Sequence, residues 1–145
     1  MKYTNTVEIN KPRAEVIQLF DDPKNMKYWM DGLQDYKHLK GEPGTEGAKT
    51  KLWINQGKRQ MEMVETITTH NPPKEFHGIY ETTGAWNGQK NFFTELNENR
   101  TLWTSENEFK FEGFLMKAIG FLMPGAFKKQ TQKYMESFKA FAEKS

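Results

Sequence analysis

The stretch AFKKQTQKYMESFKAFAEK, residues 126–144, decides how the rest of the chain is read. Phe127, Thr131, Tyr134, Phe138 and Phe141 recur in it at steps of three and four, while Lys128, Lys129, Lys133, Glu136, Lys139 and Glu143 fill the gaps. That spacing predicts an amphipathic helix with one broad aromatic face and one charged face. At 1.5 Å per residue it is roughly 28 Å long, about the width of a small domain, and it needs a large apolar surface to lie on. Upstream, Pro124-Gly125 separates it from a shorter helix expected over residues 114–122. A proline inside one continuous helix would remove a hydrogen bond and clash with the preceding turn, at a cost of about 3 kcal/mol. The long helix is therefore expected to start near residue 126.

The apolar surface has to come from the segments before it. Tyr3, Asn5, Val7 and Ile9 alternate with Thr4, Thr6, Glu8 and Asn10, which reads as a strand with one buried face. The period then changes at Asn10-Lys11-Pro12. Asn10 as a cap and Pro12 in the first turn lead into a helix over residues 12–21, ended by Asp21-Asp22-Pro23. A second short helix is expected between Pro23 and Met30, with Met26, Tyr28 and Trp29 turned inward, before a turn at Asp31-Gly32. Six strands follow, over residues 33–40, 48–55, 59–69, 76–83, 86–96 and 101–111, punctuated by glycine, proline and asparagine turns. Met61, Met63, Glu65, Ile67 and Thr69 fall on one side of the 59–69 strand, and Trp103, Ser105, Asn107, Phe109 and Phe111 on one side of the last. Strand, two short helices, six consecutive strands and a long helix specify an α+β fold. It is a seven-stranded antiparallel meander with one face covered by the terminal helix.

A chain of 145 residues fits one domain, 1–145. Its 21 basic and 19 acidic residues leave a net charge of +2, too balanced to argue for nucleic acid or an anionic membrane as partner. There is no cysteine, hence no disulfide framework, thiolate nucleophile or zinc-thiolate site. No segment reads as a signal peptide or a membrane span, so the expectation is a cytoplasmic protein without stable membrane insertion. Phe, Tyr, Trp and Met number 28, against 17 for Val, Ile and Leu. Large rings and pliable thioethers suit an irregular or partly open interior as well as an aromatic-rich core.

In order along the chain, several segments resemble the START-like polyketide cyclase/dehydrase and lipid-transport superfamily (SRPBCC), whose helix-grip fold is shared with plant pollen allergens. Residues Val7 to Val16 resemble its first strand and helix entry. Phe20-Asp21-Asp22-Pro23 with Trp29 resembles its short-helix segment, and Leu39-Lys40-Gly41 to Gly47-Ala48 its second strand and glycine turn. Glu65-Thr66-Ile67 to Asn71-Pro72-Pro73-Lys74-Glu75-Phe76 is similar to its central hairpin. The resemblance implies a strongly curved sheet wrapped around the C-terminal helix with a cavity between them. The family has no single catalytic motif, so it supplies no active-site residue.

The residues suggest their own candidates. Glu65 shares a strand face with Met61, Met63 and Ile67, where a carboxylate would be desolvated and its pKa raised, as suits a general acid or base or a ligand anchor. The alternative is a bulge or a partner that neutralises it. Asn107 and Ser105 could orient a ligand carbonyl, or satisfy neighbouring backbone groups. Tyr134, on the inner face of the long helix, and Tyr80 each join an apolar ring to a hydroxyl that wants a partner. His38, His70 and His77 are not at metal-ligand spacing, and no phosphate loop, dinucleotide fingerprint or nucleophile elbow is present, so no cofactor or metal is expected. The expected function is binding of a hydrophobic or amphipathic small molecule between sheet and helix. Met61, Met63, Trp103, Phe109, Phe127, Tyr134 and Phe138 would form the walls, with Glu65, Tyr80 and Asn107 as polar contacts. The alternatives are a cyclase/dehydratase-type enzyme using Glu65, or an interaction module with a collapsed cavity that meets a partner or a second copy as a homodimer.

Overall fold

A computed structural model describes residues 1–145, apart from the surroundings of Gln56, Leu115, Gly120, Leu122 and Pro124. Strands β1 (Lys2–Ile9), β2 (Leu33–Lys40), β3 (Lys49–Gln56), β4 (Arg59–Asn71), β5 (Glu75–Thr82), β6 (Ala85–Asn97) and β7 (Arg100–Phe111) form a single antiparallel sheet. Their order is β1-β7-β6-β5-β4-β3-β2: a meander of six strands with β1 added beside the last. Helices α1 (Arg13–Asp21) and α2 (Met26–Trp29), linked by a 3-10 turn at Pro23–Asn25, follow β1, and α3 (Phe114–Leu122) and α4 (Pro124–Lys144) follow β7. This is the helix-grip arrangement. α4 begins at Pro124, two residues earlier than the sequence reading, because a proline in the first turn gives up an N–H that has no helical partner there. α1 is capped at Pro12 rather than by Asn10, whose backbone N–H instead donates to Glu143 Oε2 of α4 at 2.8 Å.

The sheet bends because its ladders are interrupted. Register shifts fall between Ile67 and Thr69 in β4, between Glu95 and Asn97 in β6, and at two places in β2. An unmatched residue in one strand increases the local twist and bends that strand. The shift in β4 also overturns one expectation. Ile67 pairs with Gly78, but Thr69 pairs with His77 and His70 with Phe76. Thr69 therefore leaves the face of Ile67, and His70 comes onto it. There the His70 ring meets the Phe76 ring edge-on, and its Nε2 lies 2.9 Å from Asp21 Oδ2 at the end of α1.

One end of the concave face carries the core. Ile9, Val16, Leu52, Phe93, Met135, Phe138 and Ala142 are almost fully buried, with Phe20, Trp29, Phe76 and Trp103 packed among them. The buried stripe of α4 is thus Met135, Phe138 and Ala142, spaced as one helical face. Of the α2 residues expected inside, Met26 and Trp29 are buried. Tyr28 is exposed, its ring stacked on Phe141 at 5.3 Å. α4 also protects the edge of the sheet. Gln132 Nε2 donates to the Thr6 carbonyl at 3.2 Å and Lys139 Nζ to the Glu8 carbonyl at 2.6 Å. These bonds occupy acceptors that an edge strand would otherwise offer to another chain.

Candidate functional site

Away from that core the concave face turns polar, and strand register explains how. Antiparallel partners point to the same side of a sheet. Phe109, Asn87, Tyr80, Glu65 and Thr50 therefore form one cross-strand row, Tyr3, Asn107, Gln89 and Gly78 a second, and Asn5, Ser105, Asn91 and Phe76 a third. Side-chain hydrogen bonds join the second and third rows and Asn87. Trp103 Nε1 donates to Asn91 Oδ1 at 2.9 Å, Asn91 Nδ2 to Gln89 Oε1 at 3.0 Å, and Gln89 Nε2 to Asn107 Oδ1 at 3.2 Å. Asn87 Nδ2 also donates to Asn107 Oδ1, at 3.1 Å, and Asn107 Nδ2 to Ser105 Oγ at 3.0 Å. A network of neutral amides and a hydroxyl thus crosses β6 and β7 directly above the aromatic core. Asn5 adjoins it and donates to Gln132 Oε1 at 2.8 Å, while its own Oδ1 is buried with no partner among the described residues.

Glu65 faces Tyr80 across the β4–β5 ladder, and the Tyr80 hydroxyl donates to Glu65 Oε2 at 2.7 Å. Both groups lie deep among protein atoms, yet each keeps some accessible surface. Burial raises the Glu65 carboxyl above the usual carboxylate range, with the Tyr80 hydrogen bond opposing it. Burial pushes the Tyr80 phenol well above its usual value, and the neighbouring Glu65 charge adds to that, so the proton of this bond stays on Tyr80.

A pH effect follows. The native state holds the Glu65 proton more tightly than the unfolded chain does, so stability is greatest below the unfolded glutamate value of 4.5. It then falls as pH rises through the interval up to the native value, and levels off above. Glu65→Gln removes this slope. Urea unfolding of both proteins between about pH 4 and about pH 7 is expected to show the variant gaining on the wild type as pH rises. A difference that does not change with pH overturns the account.

An opening lies at the N-terminal end of α4. There the Asp31-Gly32 turn, Asn55 and Gly57 at the β3–β4 hairpin, and Ala126, Phe127, Gln130, Lys133 and Tyr134 of α4 border an open cleft of about 470 Å³. Tyr134 Oη sits 3.5 Å from the Asp31 carbonyl at its rim, and partial burial raises the phenol's pKa.

The residues anticipated from sequence thus fall into separate groups. Phe127 and Tyr134 line this opening. Glu65 and Tyr80 bond to each other on the concave face, Met63 is half-buried near them, and Asn107 sits in the amide network. Phe109 stacks on Tyr3 and Phe111 and touches Phe127 at 5.0 Å between ring centres. Met61 pairs with Ile54 toward the end of the β3–β4 hairpin. Trp103 and Phe138 are at the centre of the closed aromatic core, 3% and 0% exposed. Sequence reasoning missed Asn5, Asn87, Gln89 and Asn91. The period-two recurrence of amides at 87, 89 and 91 was the available signal, but only register shows that they meet Asn107. Among the described residues no group of three or more His, Asp or Glu could hold a metal ion.

Comparison with known proteins agrees with this architecture. A conserved protein from Geobacillus kaustophilus superposes with a TM-score of 0.82 at 19% identity, covering 100% of this chain and 97% of its own. Zhui aromatase/cyclase from Streptomyces sp. R1128 gives a TM-score of 0.84 at 10% identity, covering 99% and 93%. Ara h 8.0201 gives 0.76 at 9% identity, covering 100% and 99%. At such identities the likeness is one of fold. No curated protein matches the chain in sequence. A family assignment does come from the sequence itself, over residues 1–143, and by it the chain belongs to the polyketide cyclase/dehydrase and lipid transport family.

Proposed function

We propose that the protein binds a hydrophobic or amphipathic small molecule, lipid-like or polyketide-like in character, between the concave face of the sheet and α4. The observation that carries this reading is the Glu65–Tyr80 pair, deeply enclosed yet with accessible surface, beside a network of neutral hydrogen-bonding side chains. Met61, Met63, Phe109, Phe127 and Tyr134 supply apolar contact, Glu65, Tyr80 and Asn107 polar contact, and Trp103 with Phe138 a rigid floor. Asn5 Oδ1, a buried acceptor without a donor among the described residues, suits a ligand hydroxyl. Apolar burial drives binding at roughly 25 cal/mol per Å², less the ordering costs. The family description, which includes lipid transport, and the likeness to an aromatase/cyclase support the same ligand class.

Native mass spectrometry of freshly purified protein is expected to reveal a retained small molecule. Met63→Trp, which adds bulk beside the Glu65–Tyr80 pair, should weaken its retention at least about tenfold. Protein that carries nothing, and that also fails to retain an environment-sensitive dye, overturns the reading.

The same Glu65–Tyr80 geometry favours a second reading. A carboxyl whose pKa is raised by burial, held by a phenol at 2.7 Å, is suited to general acid–base work of the cyclase or dehydratase kind. On that reading Glu65→Gln keeps ligand affinity and abolishes turnover. Equal loss of both returns Glu65 to a binding role.

A further inference from the structure

α3 turns its aromatic residues away from the protein. Phe114 and Phe121 are 91% and 84% exposed, and Met123, at the joint with α4, is 54% exposed. Phe114, Lys117 and Phe121 are spaced by three and four residues and so form one outward stripe. The opposite side carries half-buried Met116 and Ile119, and Met116 packs on Gly84 in the β5–β6 turn, where an added Cβ would stand 2.9 Å from its Cγ. The helix is therefore anchored with its two phenylalanines projecting into water.

Charge along this part of the chain is one-sided. Between Glu112 and Glu136 the chain carries Lys117, Lys128, Lys129 and Lys133 and no Asp or Glu, and all four lysines are exposed. The net charge of +2 over the whole chain conceals this segregation. A second copy seated on the same tip would press lysines against lysines, and a convex pair of rings offers no groove for a peptide. Apolar rings flanked by lysines match the boundary of a bilayer with acidic headgroups, where acyl chains accept the rings and phosphates meet the ammonium groups.

We propose that the α3 tip docks the protein peripherally on anionic lipid bilayers. Phe114, Phe121 and Met123 enter the headgroup–acyl boundary, and Lys117, Lys128 and Lys129 contact the headgroups. No helix among the described residues is long and apolar enough to cross a membrane, so this is attachment to one surface. In sequence the tip leads directly into the α4 segment that carries Phe127 and Tyr134. The docking itself does not depend on the ligand reading: a protein with a filled interior would dock equally well.

Flotation with vesicles tests it. The wild-type chain is expected to float with phosphatidylcholine vesicles containing phosphatidylserine and to stay behind with phosphatidylcholine alone. Phe114→Ala combined with Phe121→Ala should lower the bound fraction about tenfold, with circular dichroism and melting unchanged because both rings are in solvent. Lys117→Glu with Lys128→Glu and Lys129→Glu should lower it by about as much, as should raised salt on the wild type. Wild-type protein that ignores the acidic vesicles, binding that is equal on both vesicle types, or variants that bind like the wild type each overturn the proposal. So does a concentration-dependent dimer, seen by sedimentation, that the double alanine variant dissolves in the absence of any vesicle binding.

Discussion

Replacing Phe20 with alanine is expected to lower the unfolding free energy by about 3–5 kcal/mol, the range for deleting a large aromatic from a packed core. Phe20 is the hub on which helix and sheet meet. Its ring stacks on Trp29 at 5.6 Å and meets Phe76, Phe93, Trp103 and Phe138 edge-on at 5.2 to 5.6 Å. Those partners come from α2, β5, β6, β7 and α4, so the cavity left by truncation cannot collapse by moving one element alone. A domain of this size has only about 5–15 kcal/mol in total, and such a loss would leave it marginal at physiological temperature. Urea unfolding at neutral pH measures the effect. A loss below about 1 kcal/mol would mean that the site closes over the gap, and that the aromatic cluster is not the joint between the layers.

Gly32→Ala is expected to cost about 2–4 kcal/mol, although it adds a single carbon. Gly32 has φ +88°, a conformation that side chains with a Cβ adopt only under strain. A Cβ there would also run into the carbonyl oxygen of Asn55. That carbonyl cannot step aside, because the Asn55 N–H donates to the Gly32 carbonyl at 2.8 Å and ties the two segments together. Both residues border the opening beneath α4, so the substitution should disturb the opening as it destabilises the fold. Thermal unfolding provides the check. A melting temperature within a degree or so of wild type, equivalent to a few tenths of a kcal/mol, would show that the turn yields freely.

The two substitutions differ in how far they could have been foreseen. Asp31-Gly32 is legible as a turn from its residue types alone, but the Asn55 carbonyl against it belongs to a strand end more than twenty residues later. Phe20 is legible as a buried helical position. That it touches aromatics from five other elements is not, because periodicity reports which face is inward and says nothing of what lies opposite. Glu65 shows both sides. Alternation with Met61, Met63 and Ile67 places it on the inner face, whereas the Tyr80 hydroxyl against it follows from strand pairing. Two residues further on, alternation fails: the register shift after Ile67 moves Thr69 to the other face and brings His70 in. Composition misled in one respect, since a net charge sums over the whole chain and hides the run between Glu112 and Glu136 that carries four lysines and no acid.

By itself the amino-acid order determined the α+β class, the seven strands and their turns, the terminal helix and its aromatic face. Each of these is written in local periods of 2 and 3.6 residues and in proline and glycine punctuation. Only the tertiary structure decided the bulges that bend the sheet, the register that assembles amides from β6 and β7 into one network, and the outward turn of α3. Those depend on which distant segments meet, and in what alignment, and no local pattern carries that information.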